Sequence, residues 1–167
     1  MARLRTFDPH PPHRVEELRG LPLASFARRG AALAIDFILA GLLFLPVSLL
    51  VGRALLALGI LDGSHDVLLE LKFFHNWYSV VWLVLFLGAS NHLGNGRTLG
   101  KRLFGIRAVS LLRDRLRGWQ AFERALAYGA SALELGFGFV QYFIHPNRQT
   151  VHDRIAETIV VDERAAR

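Results

Sequence analysis

The chain has 167 residues, 52% of them hydrophobic, no cysteine and a formal net charge of +6. That length suits one domain, and the missing cysteines exclude disulfides, thiolate metal centres and cysteine nucleophiles. The mean hydropathy is positive, and the basic residues sit beside apolar runs instead of forming a separate face, which reads as membrane topology and excludes nucleic acid as the expected partner.

Residues 1–25 read as a polar N-terminal tail. It is too polar and too long before the first apolar run to be a secretory signal peptide. Its "DPHPPH" stretch (Asp8–His13) offers two nearby histidines without the further ligands a metal site requires, so neither a metal nor a cofactor is expected. The first apolar segment, Gly30 to Gly52, has 23 residues and would reach about 34 Å as a helix, enough to cross a bilayer core. It contains Asp36, and Pro46 late in it predicts a kink. After Gly52, Asp62-Gly63 marks a turn in a surface loop. The second segment, about Phe74 to Gly94, opens on Trp77, Tyr78 and Trp82, an arrangement that suits an aromatic belt.

Charge sets the expected orientation. Residues 1–29 carry six arginines against three acids, and 97–124 carry seven arginines and one lysine against two acids; 53–72 carry two basic residues and three acidic ones. The positive-inside rule places the N-terminus and the 97–124 region in the cytoplasm. The third apolar segment, 125–144, has arginines on both sides and holds Glu134 and three glycines, so it is either bent and re-entrant near Gly136 to Gly138 or a plain third span. "FGIRAVS" (Phe104–Ser110) and "AETIVVD" (Ala156–Asp162) are β-branched-rich and could pair as a small ribbon on the cytoplasmic side, which favours the re-entrant form. The fold class is therefore an all-α integral membrane protein: two transmembrane helices, a third transmembrane or re-entrant segment, and a two-stranded ribbon of 104–110 with 156–162. The membrane domain runs over 26–162, and 163–167 form a tail.

Asp36 is the costly residue, since a carboxylate at the centre of a span carries a penalty of about 2.5–3.5 kcal/mol. Arg29 lies seven residues earlier, two helical turns, on nearly the same face but about 10 Å away. Direct pairing on a straight helix is out of reach, so each is expected to meet partners on other segments, with alanines such as Ala32 and Ala40 permitting close approach. "NGRTLGKRLFGIRAVS" (Asn95–Ser110) lacks the first glycine and the Ser/Thr of a phosphate loop and reads as an Asn-Gly turn followed by a basic amphipathic piece on lipid headgroups. "NRQTVHDRIAETIVV" (Asn147–Val161) places Asp153 just beyond the third segment. Ser131, Glu134, Gly138 and Gln141 share one helical face, which makes Glu134 a secondary candidate.

Together these stretches resemble the RDD family of bacterial membrane proteins, named for one arginine and two aspartates. The resemblance runs from about Phe26 to Val161 with three motifs in the family's order. It assigns Arg29, Asp36 and Asp153 to the namesake positions and Gly100, Lys101, Arg102 and Thr158 to lesser motifs. Glu157 departs from it, standing where a small residue, often glycine, is usual. The resemblance implies a multi-pass protein of the bacterial cytoplasmic (inner) membrane. It fixes no activity, although cation/proton antiport has been proposed for some members.

Two functions follow as expectations. In the first, the chain exchanges Na⁺, K⁺ or Li⁺ for H⁺, or transports another small solute, as a homo-oligomer or beside a membrane partner, with Asp36 as coupling carboxylate, Arg29 tuning it and Asp153 at the cytoplasmic mouth. In the second, the chain is a non-transporting accessory or scaffold protein in which the arginine and the two acids converge as a structural lock. No nucleophile-bearing motif is present, and no enzyme is expected.

Overall fold

Ser25 opens the longest helix among the described residues. In the computed structural model, which describes residues 12–60, 77–133 and 137–166, the Ser25 hydroxyl accepts a hydrogen bond from the Arg28 backbone N–H, capping the helix start. Helix α2 then runs from Phe26 to Ala57, preceded by the short α1 (Pro12–Leu18). At 32 residues it extends about 48 Å and passes through Pro46 without a break. It is longer at both ends than the 30–52 segment the sequence suggests, because the Ser25 cap starts it earlier and the polar Gly52-Arg53 pair does not stop it. Among the described residues it is the one helix long and apolar enough to cross a membrane by length and composition. Its buried residues Ala32, Asp36, Ala40 and Phe44 recur every four positions as one narrow stripe. The rest of its surface is open and apolar: Ile38, Leu42 and Leu50 are 61%, 68% and 69% exposed.

Helix α3 (Trp77–Leu93) lies antiparallel against that stripe. Trp82 Nε1 donates to the Ala40 carbonyl at 2.9 Å and Tyr78 stacks on Phe44 with ring centroids 6.0 Å apart, so one sequence number rises as the other falls. On its other side α3 meets α5 (Gly118–Leu133) in the same antiparallel sense, with Gly88 against Phe122 and His92 against Gly118. A short α4 (Leu99–Phe104) separates α3 from strand β1 (Ile106–Ser110). Helix α6 (Phe137–Ile144), α7 (Val151–Ile155) and strand β2 (Thr158–Asp162) complete the chain. The loop around Asp62-Gly63, the first residues of the second apolar segment and the expected break at Gly136 lie outside the described residues.

The two strands pair antiparallel, Ile106 opposite Asp162 and Ser110 opposite Thr158. The ribbon is shorter than the 104–110 and 156–162 stretches, for local reasons: Phe104 ends α4, Gly105 caps it at φ +65°, and Glu157 turns the chain at φ +48° before β2 begins. Residues 12–24 are not simply a tail. Ala24 N–H donates to the Val160 carbonyl and Asp162 N–H to that of Pro22, adding an edge to β2, while buried Arg14 on α1 reaches the Ser110 carbonyl. Ala24, Ala32, Ile106, Ala108 and Val160 form a small buried core between the ribbon and the start of α2.

Gly100 is where α4 touches α2, and a Cβ there would land on the Ala32 carbonyl oxygen. Gly100→Ala is expected to cost about 1–3 kcal/mol of stability by forcing the helices apart. Gly30→Ala, at a helical position with nothing within 4 Å of the added carbon, should instead gain about 1 kcal/mol. Unfolding of both variants in detergent checks the pair. Glu157→Gly should gain about 0.5–1 kcal/mol, the left-handed strain removed less the entropy glycine adds to the unfolded chain, read as a raised melting midpoint.

Candidate functional site

Asp153 is the first acid of α7 and is completely buried. A carboxylate in such a place must be paired, and two arginines from distant elements do this. Arg29, one turn into α2, donates through Nη1 to Asp153 Oδ2 at 2.8 Å and through Nη2 to the Val160 carbonyl at 3.2 Å; its guanidinium lies 5.0 Å from the centre of the Tyr142 ring. Arg124, in the second turn of α5 and 2% exposed, brings Nη2 within 2.5 Å of Oδ1 and donates through Nη1 to Thr158 Oγ1 at 3.4 Å. The Thr150 backbone N–H adds a third donor to Oδ2 at 3.2 Å. Burial alone would raise the Asp153 pKa, but its neighbours, Arg124 foremost and Arg29 among them, hold it below the ordinary carboxylate range.

Asp36 does not meet Arg29. Its Oδ2 accepts from the Thr98 hydroxyl and its Oδ1 from the Gly100 N–H at 2.9 Å. Thr98 is also the N-cap of α4, accepting from Lys101 N–H. The carboxylate therefore satisfies the opening turn of a six-residue helix whose backbone donors would otherwise be unpaired.

Lys101 follows on the same turn and is buried. Its Nζ donates to Asn91 Oδ1 at 2.5 Å, while Asn91 Nδ2 bonds the Leu87 carbonyl one turn back in α3. Burial, and then the nearby Arg124, push the Lys101 ammonium well below the usual lysine range. His152 packs against Tyr128 with ring centroids 4.1 Å apart and planes tilted by 38°, and shares a hydrogen bond of 2.9 Å with Thr150. Burial pushes its pKa down to about 3, so the ring is neutral at physiological pH. A cavity of about 50 Å³ lies among these groups, lined by Arg29, Asp36, Asn91, Lys101, Arg124 and His152 with several apolar residues.

Of the residues singled out from sequence, Arg29, Asp153 and Thr158 are joined through hydrogen bonds, with Thr158 Oγ1 donating to the Asp153 carbonyl at 3.3 Å. Asp36 and Lys101 border the same cavity, Arg102 is exposed on the outer side of α4, and Glu134 lies outside the described residues. The arginine and both acids do not form one triad: Arg29 and Asp153 pair, and Asp36 is committed to α4. Of the basic residues in the Asn95–Ser110 stretch expected to lie on lipid headgroups, three are engaged by the protein: Lys101 is buried against Asn91, Arg97 pairs with Glu163 and Arg107 bonds the Asn95 carbonyl. Sequence reasoning missed Arg124, whose signal was its place as the last charge before the third apolar run, parallel to Arg29 before the first. It also missed Thr98 and Asn91, which carry no signal beyond being polar residues next to apolar helices.

No solved structure matches the chain. A curated relative, the uncharacterized membrane protein YteJ of Bacillus subtilis (strain 168), is 29% identical over 92 residues, which is 54% of this chain and 56% of that protein. The alignment thus spans little more than half of the relative's length. The model of the RDD family matches residues 23–157, taking in the Pro22–Ala24 edge almost whole, Arg29, Asp36, Lys101, Arg124 and Asp153. The chain belongs to the RDD family.

Proposed function

We propose that the protein is an integral protein of the bacterial cytoplasmic membrane in which the Arg29–Asp153–Arg124 cluster is an ionic lock, holding a re-entrant third segment against a helical hairpin. One observation carries the reading: both ends of the third segment reach the layer that contains the ribbon and the start of α2. At its entry Arg124 meets Asp153, and at its exit the Tyr142 hydroxyl donates to the Ala24 carbonyl at 3.1 Å. From Arg124 to Leu133 a helix advances about 14 Å, less than half of the roughly 30 Å hydrocarbon core, so a segment that enters and returns fits these two anchors better than one that crosses. The basic flanks support a reading in which that layer and the N-terminus face the cytoplasm and α2 and α3 are the two crossing helices. In this role the protein is a non-enzymatic scaffold that presents its apolar α2 and α3 faces to lipid and to a membrane partner or a second copy.

The lock predicts a graded response. Asp153→Asn leaves Arg29 and Arg124 buried without their counter-charge and is expected to cost about 3–5 kcal/mol. Asp36→Asn keeps an oxygen that can still accept from Gly100 and should cost about 1–2 kcal/mol. Equilibrium unfolding of both variants in the same detergent measures the order, and equal losses would remove the distinction between the two acids.

The cavity beside Asp36 favours a second reading, exchange of Na⁺, K⁺ or Li⁺ for H⁺ by an oligomer. A cation at Asp36 would share a carboxylate whose oxygens already accept from Thr98 and Gly100. Proton flux in proteoliposomes on adding each cation, with Asp36→Asn as control, decides between the readings: flux that the variant lacks establishes exchange, and none from folded wild type leaves the lock.

A further inference from the structure

The arginine-rich loop between β1 and α5 takes no part in the lock. Its backbone is pinned at three points: Leu112 N–H donates to Ser110 Oγ at 3.2 Å, Leu116 N–H to Asn95 Oδ1 at 3.0 Å and Arg117 N–H to Gln120 Oε1 at 3.4 Å. Leu116 is buried, while Arg113, Arg115 and Arg117 are exposed. The three arginines line one open concavity with His13, Leu112 and Asp114. Among the described residues, none of their guanidinium groups makes an ion pair or a hydrogen bond. Asp114 instead faces Arg14 at 3.4 Å, and Arg14 also pairs with Glu17 at 2.6 Å. Joined by these contacts, the cluster holds four arginines and two acids. Positive charge is left over, in groups whose planar fork suits the oxygens of a phosphodiester.

Two contacts fix the level of this loop. Asn95, which holds Leu116, comes two residues after α3 ends at Leu93, and a Cβ at Gly118 would stand 3.7 Å from the His92 ring. Arg117 lies between these points in sequence. Trp119 follows, 74% exposed, and Leu93 is exposed as well. With α3 crossing the bilayer, its end marks the membrane surface, where an exposed indole with an apolar body and a polar tip is well placed. We propose that the loop is a headgroup site for an anionic phospholipid of the cytoplasmic leaflet, its phosphodiester among Arg113, Arg115 and Arg117 and its acyl chains beside Trp119. The apolar Trp119 and Leu93 at that level favour a lipid over an acidic protein as the source of the negative charge. The inference rests on the topology proposed above, because only a crossing α3 brings the loop to the bilayer.

The test uses the full chain in bilayers of phosphatidylcholine and phosphatidylglycerol in equal parts, with brominated acyl chains on one lipid or the other to quench tryptophan. Trp119 emission is the difference between wild type and Trp119→Phe. Both lipids are expected to quench it, with phosphatidylglycerol favoured by about fivefold or more, the contribution of a single arginine near an anionic surface. The preference should weaken as sodium chloride is raised and vanish in an Arg113→Gln/Arg115→Gln/Arg117→Gln variant, whose three positions are exposed. Equal quenching by the two lipids overturns the proposal, leaves the arginines to an acidic protein and keeps the topology. No quenching by either puts Trp119 away from the bilayer and removes both. A preference that survives the triple variant, or that inorganic phosphate abolishes at matched ionic strength, overturns the site in favour of another surface or a soluble ligand.

Discussion

The buried Asp153 carboxylate between Arg29 and Arg124 is the constraint on which the architecture depends. It ties the start of α2, the start of α5 and the single turn of α7 into one point, and through Thr150 and Thr158 it extends to the ribbon. Helix α7 has five residues and β2 has five, too few for either to persist alone. The apolar core beneath them is built largely of alanine, so each side chain removes little surface from water. Ion pairing does here what bulk does in a larger core. The cost is fragility, because any one of the three charges left without the others is an unsolvated ion.

The two aspartates that look equivalent in sequence solve different problems. Asp153 neutralises guanidinium charge, whereas Asp36 closes the backbone of α4, accepting from its cap and its first turn. Close approach makes the second arrangement possible: Gly100 has no Cβ and meets the Ala32 carbonyl directly, the kind of small-residue contact that brings helices together where side-chain burial from water gives no advantage. Lys101 is then carried inward by the geometry of the same turn, and Asn91 on α3 receives it. Asp36 thus positions a lysine whose amine it does not itself hydrogen-bond.

Much of this was legible because it depended on local pattern. The one-sided face of Arg29 and Asp36, the Asn95-Gly96 turn at φ +48° and +85°, and the alternation of 106–110 all follow from periods and turn chemistry. Arg124 was hidden by ambiguity, since a basic residue before an apolar run reads equally well as a topological flank. Lys101 was misread because six residues of helix are too few to reveal which face is buried. Pro22 to Ala24 carried no pattern, their attachment to β2 being made by backbone groups that every residue possesses. Glu157 shows the converse: a departure from the family pattern acquires a physical meaning once its positive φ is known.

On the proposed topology, depth explains why the charges are distributed as they are. Arg29 and Arg124 stand at the level where α2 and α5 leave the ribbon, near the interface, where a charge costs less than at the bilayer centre. Asp36 lies two turns deeper, and α4 is drawn to that depth by its hydrogen bonds to the carboxylate. A polar helix could not follow it there. Leu99 and Leu103, 59% and 60% exposed on the outer side of α4, give the short helix an apolar coat like that of Ile38 and Leu42 on α2. The carboxylate inside the first apolar segment is therefore matched by a second apolar surface, and α4 shields from lipid the very group that anchors it.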